Sequence, residues 1–280
     1  MKTCYHTHSD FSDGKTSMEN IVKAAVDNGF EIIGMTDHGP VPFPSAWNMP
    51  YEKITSYLQE INRLKEKYQD KITLLKGLEV DFLPGFTQIN FLKKSLDLDI
   101  TVGSVHYVSQ FDDGTPFNID KSSDVFLRGL KDIFNNDIQK FAQTYYQLVI
   151  KMITEDPPDI IAHITLLEKY NNRLGGIINT EETWYRELVK ITLYIVSLSD
   201  CVMEINARSF YRGLLDEFVP PLWVLQYANK LGIPITINGD VHAPEDFTKY
   251  WDQAVDFVKA AGYSQIIIFT EKGQRQTVKI

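Results

Sequence analysis

Cysteine is nearly absent from this 280-residue chain: Cys4 and Cys201 are the only two, they lie far apart, and they form no Cys-x-x-Cys pair. That usage excludes a disulfide framework, and both residues fall in apolar runs that read as buried thiols. Long apolar runs are also missing. None approaches the roughly 20 residues that a membrane-crossing helix needs, and the opening residues Met1-Lys-Thr-Cys-Tyr-His6 contain no signal-peptide core. A soluble cytoplasmic protein with no membrane partner is the expectation. Positive charge is short too: 28 Lys and Arg face 37 Asp and Glu, for a net charge of −9. Without a basic stripe, nucleic acid is not an expected partner. The same charge opposes an anionic substrate unless something local reverses the field, and bound metal ions would do so. No linker, low-complexity stretch or internal repeat interrupts the chain, so residues 1–280 read as one domain; 280 residues is a normal length for one α/β barrel.

What the chain does have is a pattern of strands and helices that alternate throughout. Strands are expected at residues 3–6, 31–36, 72–80, 100–105, 160–162, 201–205 and 233–237, with a terminal strand at 265–269. Helices are expected at 51–68, 87–94, 138–154, 181–199, 222–231 and 250–261, and a first helix opens on a capping box of Thr16 and Glu19 and stops at Gly29. A polar loop is expected after the fourth strand. Strands alternating with helices of this length imply parallel strands and right-handed crossovers.

The polar residues fall at the strand ends. His6 and His8 end the first strand, Asp37 and His38 the second, Glu79 the third, His106 the fourth, His163 the fifth, Glu204 and Asn206 the sixth, and Asp240 and His242 the seventh. All six histidines of the chain are used in this way. If the strands are parallel and closed, their carboxyl ends converge on one face, where barrel enzymes build active sites.

Neutral imidazole is the commonest nitrogen ligand for transition metals. His6 and His8 are two apart on a strand and face the same side, a good grip on one ion. Asp240 and His242 repeat that spacing, and so do Glu79 and Asp81, which leaves those two acids undecided by spacing. With Asp13 in the following loop there are more donors than one ion can use. Two or three divalent ions are expected, and mixed imidazole and carboxylate donors suit Zn, Mn or Fe alike.

The opening His6-Thr-His-Ser-Asp-Phe-Ser-Asp-Gly14 resembles the HxHxxxSDG motif of the PHP (polymerase and histidinol phosphatase) family of metallo-phosphoesterases, and Met35-Thr-Asp-His38 resembles its xTDH motif. Four further stretches are similar to the histidinol-phosphatase branch: Thr36-Asp-His-Gly-Pro-Val-Pro42, Gly77-Leu-Glu-Val-Asp-Phe-Leu-Pro-Gly85, Gly103-Ser-Val-His-Tyr107 and Ala162-His-Ile-Thr-Leu-Leu-Glu-Lys169. The resemblance runs from residue 4 to about residue 246. It implies a distorted (β/α)7, TIM-like barrel with a trinuclear metal site at the carboxyl ends of the strands. Carried over by position, His6, His8, Glu79 and Asp240 would hold one ion, Asp13, His38 and His242 a second, and His106 and His163 a third, with Glu79 bridging. The resemblance thus selects Glu79 over Asp81 and puts Asp37 behind the ligands.

Two departures stand out. Many members of this branch carry a histidine one residue further along the opening loop, where this chain has Asp13. Their sixth loop often reads Asn-Thr-Ala-Gly-Leu with a basic residue close behind, whereas this chain reads Asn206-Ala-Arg-Ser-Phe-Tyr-Arg212. Arg208 and Arg212 are both candidates for phosphate recognition.

The implied reaction is hydrolysis of a small phosphate monoester, L-histidinol phosphate first. A water bridging two metals would lose its proton near neutral pH and attack phosphorus in line, while the metals and an Arg neutralise the phosphate oxygens. Asp13, His38 and Asp37 are the candidate catalytic residues. Trp47 and Tyr107 could stack on an imidazole ring, and Asp112 or Asp113 could pair with an ammonium group. A nucleotide or sugar phosphate is the alternative substrate, and a non-catalytic metal-binding barrel a more distant one. The oligomeric state is not legible.

Overall fold

The computed structural model describes all 280 residues. Seven strands form one sheet whose neighbours all run parallel and follow chain order: β1 (Lys2–Cys4), β2 (Phe30–Met35), β3 (Thr73–Asp81), β4 (Ile100–Ser104), and then, after a small antiparallel hairpin of β5 (Tyr107–Gln110) and β6 (Pro116–Asn118), β7 (Ile160–Ile161), β8 (Val202–Asn206) and β9 (Ile235–Asn238). The sheet curls until its edges meet. His8 N–H donates to Val241 O at 2.7 Å and Val241 N–H to His6 O at 3.0 Å, joining the end of β1 to the end of β9. The result is the distorted TIM-like (β/α)7 barrel.

Helices α1 (Met18–Asp27), α2 (Ile54–Tyr68), α3 (Ile89–Ser95), α4 (Ser123–Asp132), α5 (Ile138–Glu155), α6 (Thr183–Ser197), α7 (Arg208–Tyr211), α8 (Leu222–Lys230) and α9 (Trp251–Ala260) lie in the connections. In α2 the buried residues Tyr57, Ile61, Leu64 and Tyr68 recur at helical spacing and form one apolar stripe. They pack with strand residues such as Ile33, Leu74 and Met203 in a core that fills the space between barrel and helices. A second set, Tyr5, Ile32, Leu75, Ile100, Val102, Ile160 and Val202, forms a separate apolar cluster that includes no helix residue. Side chains alternate across a strand, so this set fills the barrel interior at its amino-terminal end.

A C-terminal hairpin, β10 (Gln265–Phe269) paired antiparallel with β11 (Arg275–Lys279), covers that end. Ile268 and Phe269 join the interior cluster. The Tyr5 hydroxyl accepts from Phe269 N–H at 2.8 Å and donates to Phe269 O at 3.1 Å. β11 gives no sequence signal because its residues are polar and mostly exposed. The expected polar loop after β4 contains the β5–β6 hairpin and α4, whose strands of 4 and 3 residues are too short to show alternation.

The first helix is capped by Ser17, not by a Thr16–Glu19 box: Ser17 Oγ accepts from Asn20 N–H, while the Glu19 carboxylate turns outward to Arg63 and Lys67. No helix is long and apolar enough to cross a membrane.

Candidate metal centre

Above the apolar plug, the interior turns polar. His6 and His8 follow β1, His38 follows β2, Glu79 lies in β3, His106 follows β4, His163 follows β7, and Asp240 and His242 follow β9. With Asp13 from the opening loop, these nine expected ligands gather in overlapping groups whose donor atoms lie within 4.8 Å of one another: His8, Asp13, His38 and His242; His6, His8 and Asp240; His6, Glu79 and His163; His38, Asp81 and His106.

Glu79 is the hub. Its Oε2 lies 3.1 Å from His6 Nε2, 3.5 Å from His8 Nε2 and 2.9 Å from His38 Nδ1, and its Oε1 lies 3.2 Å from His163 Nε2 and 3.7 Å from His106 Nε2. Each oxygen therefore faces a different set of imidazoles, as a bridging carboxylate would. Asp81, which shares its face, sits behind: its Oδ1 is 2.7 Å from His106 Nδ1, and its Oδ2 accepts from Asn48 Nδ2 at 2.9 Å. On the far side, Asp13 Oδ1 lies 3.1 Å from His242 Nε2 and 3.7 Å from His38 Nε2.

These atoms are short of hydrogen-bond partners. His6 Nε2, both ring nitrogens of His8, His38 Nδ1, Asp13 Oδ1 and Glu79 Oε2 are buried without one. Buried polar atoms normally find partners, and a cluster of orphaned imidazole and carboxylate donors facing one another is the donor set of a divalent-metal centre.

The titration behaviour reflects the crowding. Burial works against charge on His6, but the carboxylates of Glu204, Asp240 and Glu79 outweigh it and raise its pKa well above the ordinary value. Burial likewise opposes charge on His38, yet Glu79 and Asp13 lift it to about 10. His8 goes the other way: burial, with His242 and His38 beside it, lowers it to about 3. Burial favours the neutral form of Glu79 and of Asp240, and the surrounding imidazoles, with Arg208 beside Asp240, reverse this and hold both well below the usual carboxylate range.

The opening loop is set by close packing. A Cβ on Gly14 would lie 2.5 Å from His8 O, so only glycine lets the loop fold back and bring Asp13 over the cluster. Asp37 anchors the same loop and does not enter the cluster. Its carboxylate accepts from Ser9 N–H at 2.8 Å, Ser9 Oγ at 2.9 Å and Ser12 Oγ at 2.5 Å. A carboxylate so occupied is poorly placed to transfer a proton to a substrate.

A narrow cleft opens onto the cluster. Arg208 is on its wall, with Nη1 donating to Asp240 O at 3.0 Å. Arg212 is exposed and not part of the lining, because it lies one helical turn beyond Arg208 at the end of α7, past the mouth of the cleft. Trp47 stacks on His38, ring centroids 5.6 Å apart and planes inclined by 15°. Tyr107 packs edge-on to Trp47 and donates its hydroxyl to Asn48 Oδ1 at 3.0 Å, so it supports the wall and is not presented to the cleft. Asp112 is exposed in the β5–β6 turn, where Asp113 Oδ1 accepts from Thr115 N–H at 2.8 Å, and neither acid lines the cleft.

The acid and base that do line the cleft are Asp120 and Lys169, paired with each other and unforeseen from the sequence. Lys169 closes the stretch Ala162-His-Ile-Thr-Leu-Leu-Glu-Lys169, and its place six residues after His163 was the available signal. Asp120 had none, since hairpin geometry alone decides which loop acid points inward.

A closed parallel barrel with nine such donors at its carboxyl-end mouth belongs to the class of barrel metalloenzymes. Within that class the chain belongs to the PHP domain family, whose model matches residues 5–208. It is 27% identical to the histidinol-phosphatase of Lactococcus lactis, covering 96% of this chain and 94% of that one. A solved structure from Listeria monocytogenes matches with a TM-score of 0.78 at 22% identity over 90% of this chain and 99% of that one. The Lactococcus lactis histidinol phosphate phosphatase, solved with zinc, L-histidinol and phosphate, matches with a TM-score of 0.69 at 22% identity over 98% of both chains.

Proposed function

We propose that this chain, as one barrel domain over residues 1–280, hydrolyses L-histidinol phosphate to L-histidinol and phosphate with two to three divalent transition-metal ions, Zn, Mn or Fe. The observation that carries this reading is the nine-donor cluster beneath a cleft walled by Arg208, Lys169 and Asp120. Full-length similarity to a curated histidinol-phosphatase and to an enzyme solved with zinc, L-histidinol and phosphate supports it. The ligand assignment is His6, His8, Glu79 and Asp240 for one ion, Asp13, His38 and His242 for a second, and His106, His163 and Glu79 for a third.

When bound, the metal ions supply Lewis acidity and make water acidic enough to act as a nucleophile near pH 7. The chain's own residues do the rest. Arg208 is kept cationic by Asp240, which outweighs the effect of burial, and from the cleft wall its guanidinium would meet the phosphate oxygens of a bound substrate. Lys169 and Asp120 are already an ion pair, so a substrate carrying both phosphate and ammonium can satisfy each of them in turn. Trp47 stacks on His38 from outside the cleft lining, so it positions that imidazole and is not itself presented to a substrate ring. Asp13 is the cluster acid most open to solvent, with a side-chain exposure of 26%; His242, His38 and His8 outweigh burial and hold it well below the usual carboxylate range, so it is placed to accept a proton and not to give one.

The test is turnover of a panel of phosphomonoesters by metal-loaded protein. The expected result is a kcat/KM for histidinol phosphate far above that for nucleotide, sugar and generic esters. Equal rates across the panel would sink the substrate assignment. Preference for a nucleotide or sugar phosphate would establish the second reading, which Asp13 and the departure of the sixth loop, with Arg208 and Arg212, favour.

A further inference from the structure

β8 contributes none of the nine donors, yet Glu204 at its centre is fully buried directly behind two of them. Its Oε1 lies 2.6 Å from His6 Nδ1 and accepts from Asn238 Nδ2 at 3.0 Å. Its Oε2 accepts from His163 N–H at 2.8 Å and from Asn206 Nδ2 at 3.0 Å.

Both amide orientations are pinned by backbone donors. Asn238 Oδ1 accepts from Tyr5 N–H at 2.7 Å, and Asn206 Oδ1 accepts from Arg208 N–H at 2.9 Å. An amide oxygen occupied in this way leaves its NH2 facing Glu204. Three fixed donors thus converge on two carboxylate oxygens, and His6 Nδ1 is the fourth neighbour. Only an N–H on Nδ1 gives every member of this cage a partner. Nε2 of His6 is then the nitrogen left to face Glu79 Oε2 and Asp240 Oδ1, 3.1 and 3.8 Å away. His163 needs support of another kind. Its φ of +22° is a conformation that L side chains avoid, and its N–H bond to Glu204 holds it there.

We infer that Glu204 is the positioning residue of the metal centre. One oxygen fixes His6 in the tautomer whose Nε2 faces the ions, and the other holds the backbone that aims His163. A single buried side chain thereby sets donors on both sides of Glu79. The neighbouring carboxylate Asp81 backs His106 alone, with no backbone clamp.

This rests on the metal-dependent reading above, and the experiment separates the two. Metal content and chelator-competition affinity are measured for the wild type and Glu204→Gln. Gln carries one acceptor and one NH2. It either turns its NH2 to His6 Nδ1 and forces the proton onto Nε2, or sets that NH2 against the N–H groups of His163 and Asn206. Metal binding at the sites containing His6 and His163 is expected to weaken by about 10- to 100-fold, the usual effect of losing a supporting partner behind a metal ligand. The Asp13–His38–His242 site is expected to keep its affinity.

Should Glu204→Gln fail to fold, the zinc-loaded wild type decides. In 15N-histidine-labelled protein, with the His6 signal identified by its loss in His6→Gln, long-range 1H–15N correlation is expected to show Nδ1–H and a metal-bound Nε2. Wild-type affinity in Glu204→Gln, or His6 bound through Nδ1, overturns the inference. A wild type that binds no divalent metal overturns the metal reading instead.

Discussion

Trp47 and His38 lie face to face, with ring centroids 5.6 Å apart and planes only 15° from parallel. The indole is the lid of one imidazole donor, and Trp47 Nε1 has no partner of its own. A divalent cation bound at His38 polarises the ring beneath the indole. Zinc titration of metal-free protein is therefore expected to quench tryptophan fluorescence. Trp47→Phe should abolish that change while binding zinc within a few-fold of wild type, because Trp184, Trp223 and Trp251 are outside the cluster and the cleft. A quench of full size in Trp47→Phe would contradict the arrangement.

The two arginines of the sixth loop differ in placement. Arg208 lines the cleft, whereas Arg212 is exposed outside it. A hydrogen bond to a charged group is worth about 1.5–3 kcal/mol. Arg208→Ala is thus expected to lower kcat/KM by roughly 10- to 100-fold, with metal content unchanged. Arg212→Ala should stay within about twofold of wild type, as for other exposed charges. Steady-state kinetics on both variants settles the division, and the reverse order would refute it.

Glu168 gives the fold a pH dependence. Burial raises its pKa to about 7 from an ordinary 4.5, against the hydrogen bond donated by Tyr185 and with help from the charge of Glu217. A carboxyl raised on folding contributes stability that is fully present below about pH 4.5 and is lost as pH rises through 7. The swing is on the order of 3 kcal/mol. Glu168→Gln, a permanent mimic of the neutral acid, is expected to gain on the wild type between pH 5 and pH 8 in urea unfolding. A difference between the two proteins that does not vary with pH would rule this out.

Tyr5 ties the barrel to its C-terminal plug through two hydrogen bonds with Phe269. Tyr5→Phe removes both and leaves a buried backbone N–H unpaired. A loss of roughly 1–3 kcal/mol is expected, with activity retained because the plug is at the end opposite the cleft. Thermal unfolding and turnover together test this, and loss of turnover without loss of stability would be the contrary result.

The strand ends were legible because each carries a histidine or acid where an apolar run stops, and parallel alternation alone sends those ends to one mouth. Depth was not legible. Glu79, Asp81 and Glu204 all read as acids on barrel strands, yet one lies among the donors and two lie behind them, a matter of position along β3 for the first two and of the register of β8 for the third. The recognition residues were the least visible. Asp112, Asp113 and Asp120 share one connection, and only the β5–β6 hairpin turns Asp120 inward. Arg208 and Arg212 were equal on paper; the one turn of α7 between them leaves only Arg208 at the cleft.

The hydrogen bonds between His6, His8 and Val241 that join the barrel's first and last strands have a consequence in time. A nascent chain that has emerged only as far as β8 holds His6 and His8 but neither Asp240 nor His242, and its first strand still has an open edge. The centre is therefore completed in one of the last folding steps, by contacts spanning more than 230 residues, as between Tyr5 and Asn238. Closures of such long range are slow. Until they form, His6 and His8 stand at an unpaired sheet edge without Asp240 and His242, the donors they meet only in the closed barrel.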